Sequence, residues 1–278
     1  QDHLDFHGTL DRYFDAKRRL FTEARPPAAV NVGDEHGRRL AEELRGHNEL
    51  LTFGLADDAD LRADDLELGP RGARFRAGGI ELDTRLRGRF NVENVLGAVA
   101  AARLLGIDDD AIAYGVRELR GVPGRFEAVD EGQPFAVLVD YAHTPDSLEN
   151  VLRTARDLAQ GRLICVFGCG GDRDRGKRPL MGRIATDLAD LAIVTSDNPR
   201  SEEPAAIIAE ILEGAPGAEV EADRREAIAR AIGAAAEGDV VVIAGKGHEQ
   251  GQQFADRTIP FDDREVAREV LKRLGAPA

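Results

Sequence analysis

Apolar residues recur at helical spacing through Leu10, Tyr13, Phe14, Leu20 and Phe21, which predicts a helix over 10–24. The short apolar run AAVNV at 28–32 predicts a buried strand, and 34–45 the next helix. In ARFRAGGIELDTRLRG, apolar and polar positions alternate on both sides of Gly78-Gly79, the pattern of a β-hairpin. An Ala-, Leu- and Val-rich stretch over 91–105 predicts a helix. GIDDDAIAYGVRELRGV predicts another, with an acidic start that suits a helix N-terminus.

The rhythm changes near Gly121-Val122-Pro123-Gly124, which divides the chain into 1–121 and 122–278. Beyond that point strands and helices alternate. FAVLVDYA, RLICVFG, LAIVTSD and DVVVIAG read as strands. Helices are expected over 146–159, 179–188, 203–213, 224–236 and 261–274, the last with Asp262 and Glu265 at capping-box spacing. Alternation of apolar strands with helices predicts an α/β fold with a mostly parallel, doubly wound sheet. Ligands of such sheets gather at the carboxyl ends of the strands. Four polar clusters fall there: 140–145 (DYAHTP), 169–177 (CGGDRDRGK), 197–200 (DNPR) and 245–249 (GKGHE). Their convergence on one rim predicts a site.

Composition narrows the partners. The formal charge of −14 over 278 residues excludes nucleic acid and an anionic membrane surface as expected partners, since both select basic surfaces. A local Arg/Lys cluster still permits an anionic small molecule. No apolar run approaches the roughly 18 residues of a membrane span, and the N-terminus lacks a basic-then-apolar layout, so a cytoplasmic protein is expected. Cys165 and Cys169 lack paired C-x-x-C spacing and imply neither zinc nor a disulfide framework. The chain opens on Gln, with motif-like residues already at its start, and a truncated chain is expected.

The cluster after RLICVFG carries Gly171-x-x-x-x-Gly176-Lys177, a phosphate-loop pattern in every position but the last. That position is Arg178, which cannot hold Mg²⁺ as Ser or Thr does. Asp172 and Asp174 also oppose a triphosphate, and Pro179 is expected to begin the following helix. With Arg173, Arg175, Lys177 and Arg178, the turn reads as an anion receptor better matched to a carboxylate, or else as a solvated turn. In DNPR, Pro199 holds Arg200 just past a strand end, where a guanidinium grips a carboxylate with two parallel bonds. The alternative is a plain turn. In GKGHEQG, Glu249 offers an acceptor for an ammonium group, and His248 reads as structural. DHLDFHG sets His3 and His7 four apart without the Glu of H-E-x-x-H, so Mg²⁺ held by one His and acidic groups is a further option.

Taken together, DHLDFHG, AKRRLF, GRFNVENVLGA, GVPGRFE, VDYAHTPDSLENVL, FGCGGDRDRGKRPLMG, TSDNPRSEEP and AGKGHEQGQ resemble, in this order, the Mur ligase family. The resemblance implies that 1–121 is the C-terminal part of a central ATPase domain and 122–278 a Rossmann-like domain that binds an amino acid. The family's phosphate loop, G-x-x-G-K-[ST], does not occur in the chain. The implied activity is an ATP- and Mg²⁺-dependent amide synthesis of peptidoglycan precursors. An acyl phosphate on UDP-N-acetylmuramoyl-L-alanyl-D-glutamate is attacked by an amine of meso-diaminopimelate. This chain alone is expected to be inactive, and a monomer.

The roles implied residue by residue are as follows. His3 matches a metal ligand, and Lys17 a lysine whose carbamate would ligate Mg²⁺; both are catalytic in the family. Asn91, Asn94, Arg125, Asp140 and His143 match nucleotide-binding positions. Arg173, Asp197, Asn198, Arg200, Gly245 and Glu249 match the diaminopimelate pocket. Lysine lacks the distal carboxylate, so Arg200 favours diaminopimelate over the lysine-adding variant. Two readings from other classes remain: a non-catalytic amino-acid-binding module, and a phosphate-loop hydrolase that uses 171–177.

Overall fold

The structure is a computed structural model that describes residues 4–69 and 72–275. The chain forms two compact units, Phe6–Gly121 and Val122–Ala278.

A single turn, α1 (Leu4–His7), precedes α2 (Leu10–Glu23), which Thr9 caps by accepting from the Arg12 amide. Then follow β1 (Ala28–Asn31), α3 (Glu35–Leu44), β2 (Leu50–Gly54) and β3 (Leu61–Arg62), and the strands pair in parallel in that order. The predicted hairpin is β5 (Gly72–Ala77) and β6 (Ile80–Thr84), joined by β4 (Asp64–Gly69) into an antiparallel sheet. Neither β2 nor β4 was legible from apolar patterning. β4 is acidic and bulged, with Leu66 alone packed against the core, so its pairing depends mainly on β5. α4 (Arg89–Leu104) buries Val92, Val95, Leu96 and Val99 with Phe75, Leu82 and Leu61, and α5 (Asp109–Glu118) closes this core with Ile112.

The second unit runs β7 (Glu127–Ala128), β8 (Ala136–Asp140), α6 (Pro145–Leu158), β9 (Leu163–Phe167), α7 (Lys177–Leu188), β10 (Leu191–Val194), α8 (Pro204–Leu212), β11 (Glu219–Val220), α9 (Arg224–Ala234), β12 (Val240–Ala244), β13 (Gly251–Gln253), β14 (Thr258–Pro260) and α10 (Asp263–Gly275). Its main sheet has the order β11-β10-β9-β12-β8-β7, parallel except for the short edge strand β7. Every residue of β9 and β12 is buried, as expected of strands covered on both faces. Ile228, Ile232, Val266 and Leu271 of α9 and α10 pack on Val139, Val166, Ile193 and Val241. The alternate residues Leu138, Cys165 and Val242 point to the opposite face, which α6 and α7 approach. No helix among the described residues is long and apolar enough to cross a membrane.

Candidate functional site

All four polar clusters follow the carboxyl ends of parallel strands: β8, β9, β10 and β12. The glycines after β9 are there for close backbone approach. A Cβ on Gly171 would lie 1.9 Å from the Pro199 carbonyl oxygen, and one on Gly168 2.3 Å from that of Thr195. The Gly171 amide donates to the Asn198 carbonyl at 2.9 Å. The glycine cluster is therefore shaped to receive the neighbouring 195–200 loop.

The same geometry corrects the four-cation receptor expected here. Arg178 is fully buried and donates to Glu202 at 2.8 and 2.9 Å and to Glu210 at 2.8 Å. Arg175 also pairs with Glu210, and Lys177 Nζ donates to the His143 carbonyl at 2.7 Å. Arg173 is the one of the four that is exposed and without an ion pair among the described residues, with Nη1 on the Asp172 carbonyl. The helix begins at Lys177 rather than at Pro179, which falls inside the first turn, where an amide has no intrahelical partner to lose. The Arg178 pair holds the Glu202 carboxyl down at about 2. Hydrogen bonds from Ser201 lower Asp172 in the same loop.

The β10 and β12 loops build the floor. Arg200 adopts φ +53°, with its amide on the Gln253 carbonyl at 3.0 Å and Nη1 on the Gly171 carbonyl at 2.6 Å. Around Gly170, a Cβ would meet Arg200 Nη1 at 2.9 Å and Arg173 Cγ at 3.9 Å, so the Arg200 guanidinium and the stem of the Arg173 side chain lie beside one glycine. Opposite in charge, Asp197 lies against Gly245, where a Cβ would sit 2.4 Å from Oδ2. Asn198 Nδ2 donates to Glu249 Oε2 at 2.8 Å, and Asn198 Oδ1 accepts from Lys246 Nζ at 2.8 Å and the Gln253 amide at 3.0 Å. Lys246 Nζ also reaches Glu249 Oε2 at 3.2 Å. Beneath them Arg224, fully buried, grips Asp263 through two bonds at 2.7 and 2.8 Å and donates to the Ala244 carbonyl.

Sequence reasoning had not singled out Lys246, Arg224 or Glu202. Lys246 stood inside a quoted motif whose glycine and glutamate drew the attention. Arg224 opens α9 with no local sign that its partner lies 39 residues on.

At the end of β8, Asp140 is buried and accepts from the Phe126 amide at 2.7 Å and the Ala142 amide at 2.8 Å. Burial raises its carboxyl above the usual range despite those donors. Arg125 stacks on Tyr141 at 4.9 Å, and the rings of His143 and His248 lie 4.6 and 5.3 Å from that tyrosine. Gly124 makes this possible: at φ +66°, its Cβ would fall 2.1 Å from the His248 amide nitrogen. Thr144, Pro145 and Ser147 cap α6 and fix the loop that carries His143.

In the other unit, Asn91 is buried in the first turn of α4, with Nδ2 on the Arg87 carbonyl at 2.8 Å and Oδ1 receiving Asn94 Nδ2 at 3.1 Å. Asn94 itself is exposed. Lys17 is exposed on α2, its Nζ 5.2 Å from the Tyr13 ring centre. His3 lies outside the described residues. Among those that are described, no three His, Cys, Asp or Glu side chains assemble into a metal-binding group.

With this geometry in view, the comparisons are specific. Residues 1–102 match the Mur ligase middle domain, and 124–247 the Mur ligase glutamate ligase domain. The chain belongs to the Mur ligase family. It is 50% identical to the UDP-N-acetylmuramoyl-L-alanyl-D-glutamate–2,6-diaminopimelate ligases of Solibacter usitatus and Thermosynechococcus vestitus, over 99% and 100% of its length. It spans 58% of the length of each of these relatives. A solved ligase of the same description is 39% identical with a TM-score of 0.60, covering 98% of this chain and 58% of that one. MurF from Thermotoga maritima in complex with ADP shares the fold at 19% identity and a TM-score of 0.68, over 98% of this chain and 59% of its own. As in other Mur ligases, the fold is α/β, and the rim up to Gly247 falls within the family's glutamate ligase domain.

Proposed function

We propose that this chain supplies the amino-acid side of an ATP-dependent amide ligase that adds meso-diaminopimelate to UDP-N-acetylmuramoyl-L-alanyl-D-glutamate. One observation carries the reading: Arg173 and Arg200 flank Gly170, on the same strand-end rim as Asp197, Asn198 and Glu249. The Arg200 guanidinium, with the exposed Arg173 side chain beside the same glycine, suits a carboxylate. Glu249 pairs with the buried Lys246, and Asp197 lies against Gly245, so the rim carries two carboxylates for that one lysine, which suits an ammonium group. A pocket with both grips selects an amino-acid head at the far end of a ligand whose other amine is left to react.

That amine must attack as the free base. Holding the distal head rigidly orders the reacting end without further contacts to it, which is the entropic share of catalysis. When bound, ATP supplies the phosphoryl group that turns the acceptor carboxylate into a reactive acyl donor. Arg125, Asp140 and His143 are candidate nucleotide-binding residues of the second unit, and Asn91 and Asn94 of the first. His3 and Lys17 are the candidate metal positions. The protein acts as a cytoplasmic monomer, a state that sedimentation velocity checks.

Calorimetric titration tests the reading. The chain should bind meso-diaminopimelate at least tenfold more tightly than L-lysine, since an Arg left without its carboxylate penalises lysine. Equal affinities remove diaminopimelate as the preferred ligand, and tighter lysine binding selects the lysine-adding activity. Because G-x-x-G-K-[ST] occurs nowhere in the 278 residues, the chain by itself should show no ATP-dependent ligation. Observed turnover would overturn that expectation.

A further inference from the structure

Lys246 is the one lysine among the described residues whose side chain is fully buried at this rim, and the proposed function gives it no contact with substrate. Its Nζ donates to Asn198 Oδ1 at 2.8 Å and lies 3.2 Å from Glu249 Oε2. An amide oxygen accepts about two hydrogen bonds. For Asn198 both come from fixed donors, Lys246 Nζ and the Gln253 amide, so Oδ1 is fully engaged. The amide cannot flip, because a flip would turn NH₂ toward a buried ammonium. One Nδ2 hydrogen is spent on Glu249 Oε2, leaving the other hydrogen and Glu249 Oε1 for a ligand.

We propose that Lys246 is a positioning residue that orients the Asn198 amide and the Glu249 carboxylate, and thereby sets the affinity of the pocket for the charged head of an amino acid. The proposal rests on the amino-acid reading above. It explains why a cation is buried beside a pocket meant to hold a cation. The lysine charge holds Glu249 by Oε2 and presents Oε1, and the formal excess of one negative charge remains. An apolar residue at 246 would leave Oδ1 held by the Gln253 amide alone and Glu249 without the cation that holds it against Asn198.

The test is calorimetry of the 278-residue chain with meso-diaminopimelate, alongside thermal unfolding of each variant. Lys246→Met should bind about thirtyfold more weakly, the scale of a lost hydrogen bond to a charged group. Lys246→Gln, which keeps an N–H for Asn198 Oδ1 without the charge, should fall between Met and the wild type. Lys246→Met combined with Asn198→Ala should lose less than the product of the two single losses, because part of the lysine's effect runs through the asparagine. If Lys246→Met does not fold, Lys246→Gln and its combination with Asn198→Ala decide the same question. Wild-type binding with unchanged affinity in the foldable position-246 variants overturns the proposal, as does a double variant whose losses multiply. No binding by the wild type overturns the amino-acid reading and, with it, this role for Lys246.

Discussion

Arg200 is fixed at both ends: its amide is tied to β13 through Gln253, and its Nη1 to the Gly171 carbonyl. Those bonds leave the rest of the guanidinium fork for a ligand. Arg200→Ala should therefore weaken meso-diaminopimelate binding by about two decades, from loss of a charge-assisted contact worth roughly 3 kcal/mol, and leave lysine binding nearly unchanged. Calorimetry with both ligands checks it, and an equal loss for the two would place Arg200 away from the distal carboxylate. Gly171→Ala tests the backbone contact: a Cβ 1.9 Å from the Pro199 carbonyl forces the two loops apart. It should lower stability by about 2 kcal/mol, within the range for overpacking, and weaken ligand binding with it, as urea melts and titration will show. Asp197, Asn198, Arg200 and Glu249 stood out in the sequence because unusual polar runs followed apolar strands. Lys246 and Arg224 did not, since their roles depend on partners 48 and 39 residues away.

At the level of elements, Arg178 decides what the phosphate-loop imitation is for. It ties the start of α7 to Glu202, just before α8, and to Glu210 within α8, so the glycine loop and the DNPR loop move as one body. The sequence showed that Arg178 spoils a Mg²⁺ site, but not that it is a buried ion-pair centre. Periodicity finds a helix and says little about which of its side chains turns inward under a loop. Removing one partner of a buried pair costs about 3 kcal/mol, so Glu202→Ala should lose about that at neutral pH. Glu202 ordinarily titrates near 4.5 and in the fold near 2, so the folded state binds fewer protons between those values. Its contribution is complete above 4.5 and fades as pH falls toward 2. Urea melts from pH 7 down to pH 2.5 should show the wild type and Glu202→Ala converging in stability on the acid side. Parallel curves would mean the ion pair contributes nothing that titrates.

For the whole molecule, alternation of apolar strands and helices made the α/β class and the parallel sheet of the second unit readable. The first unit was read less completely, because the two leucines of β4 are outweighed by three acidic residues. Every residue assigned above to the amino-acid pocket lies in Val122–Ala278: Arg173, Asp197, Asn198, Arg200, Gly245, Lys246 and Glu249. That unit has its own core of β8, β9, β10 and β12 packed by α9 and α10, and its own buried Arg224–Asp263 pair. A segment with a complete core and a complete pocket should fold and bind alone. Expressed by itself, 122–278 should unfold cooperatively and bind meso-diaminopimelate within about threefold of the 278-residue chain, since binding energy follows the contacts retained. Calorimetry of the two proteins side by side checks this. A folded 122–278 that binds more than tenfold more weakly would show that residues of Phe6–Gly121 contribute to the grip on the amino acid, and the pocket would have to be redrawn to include them.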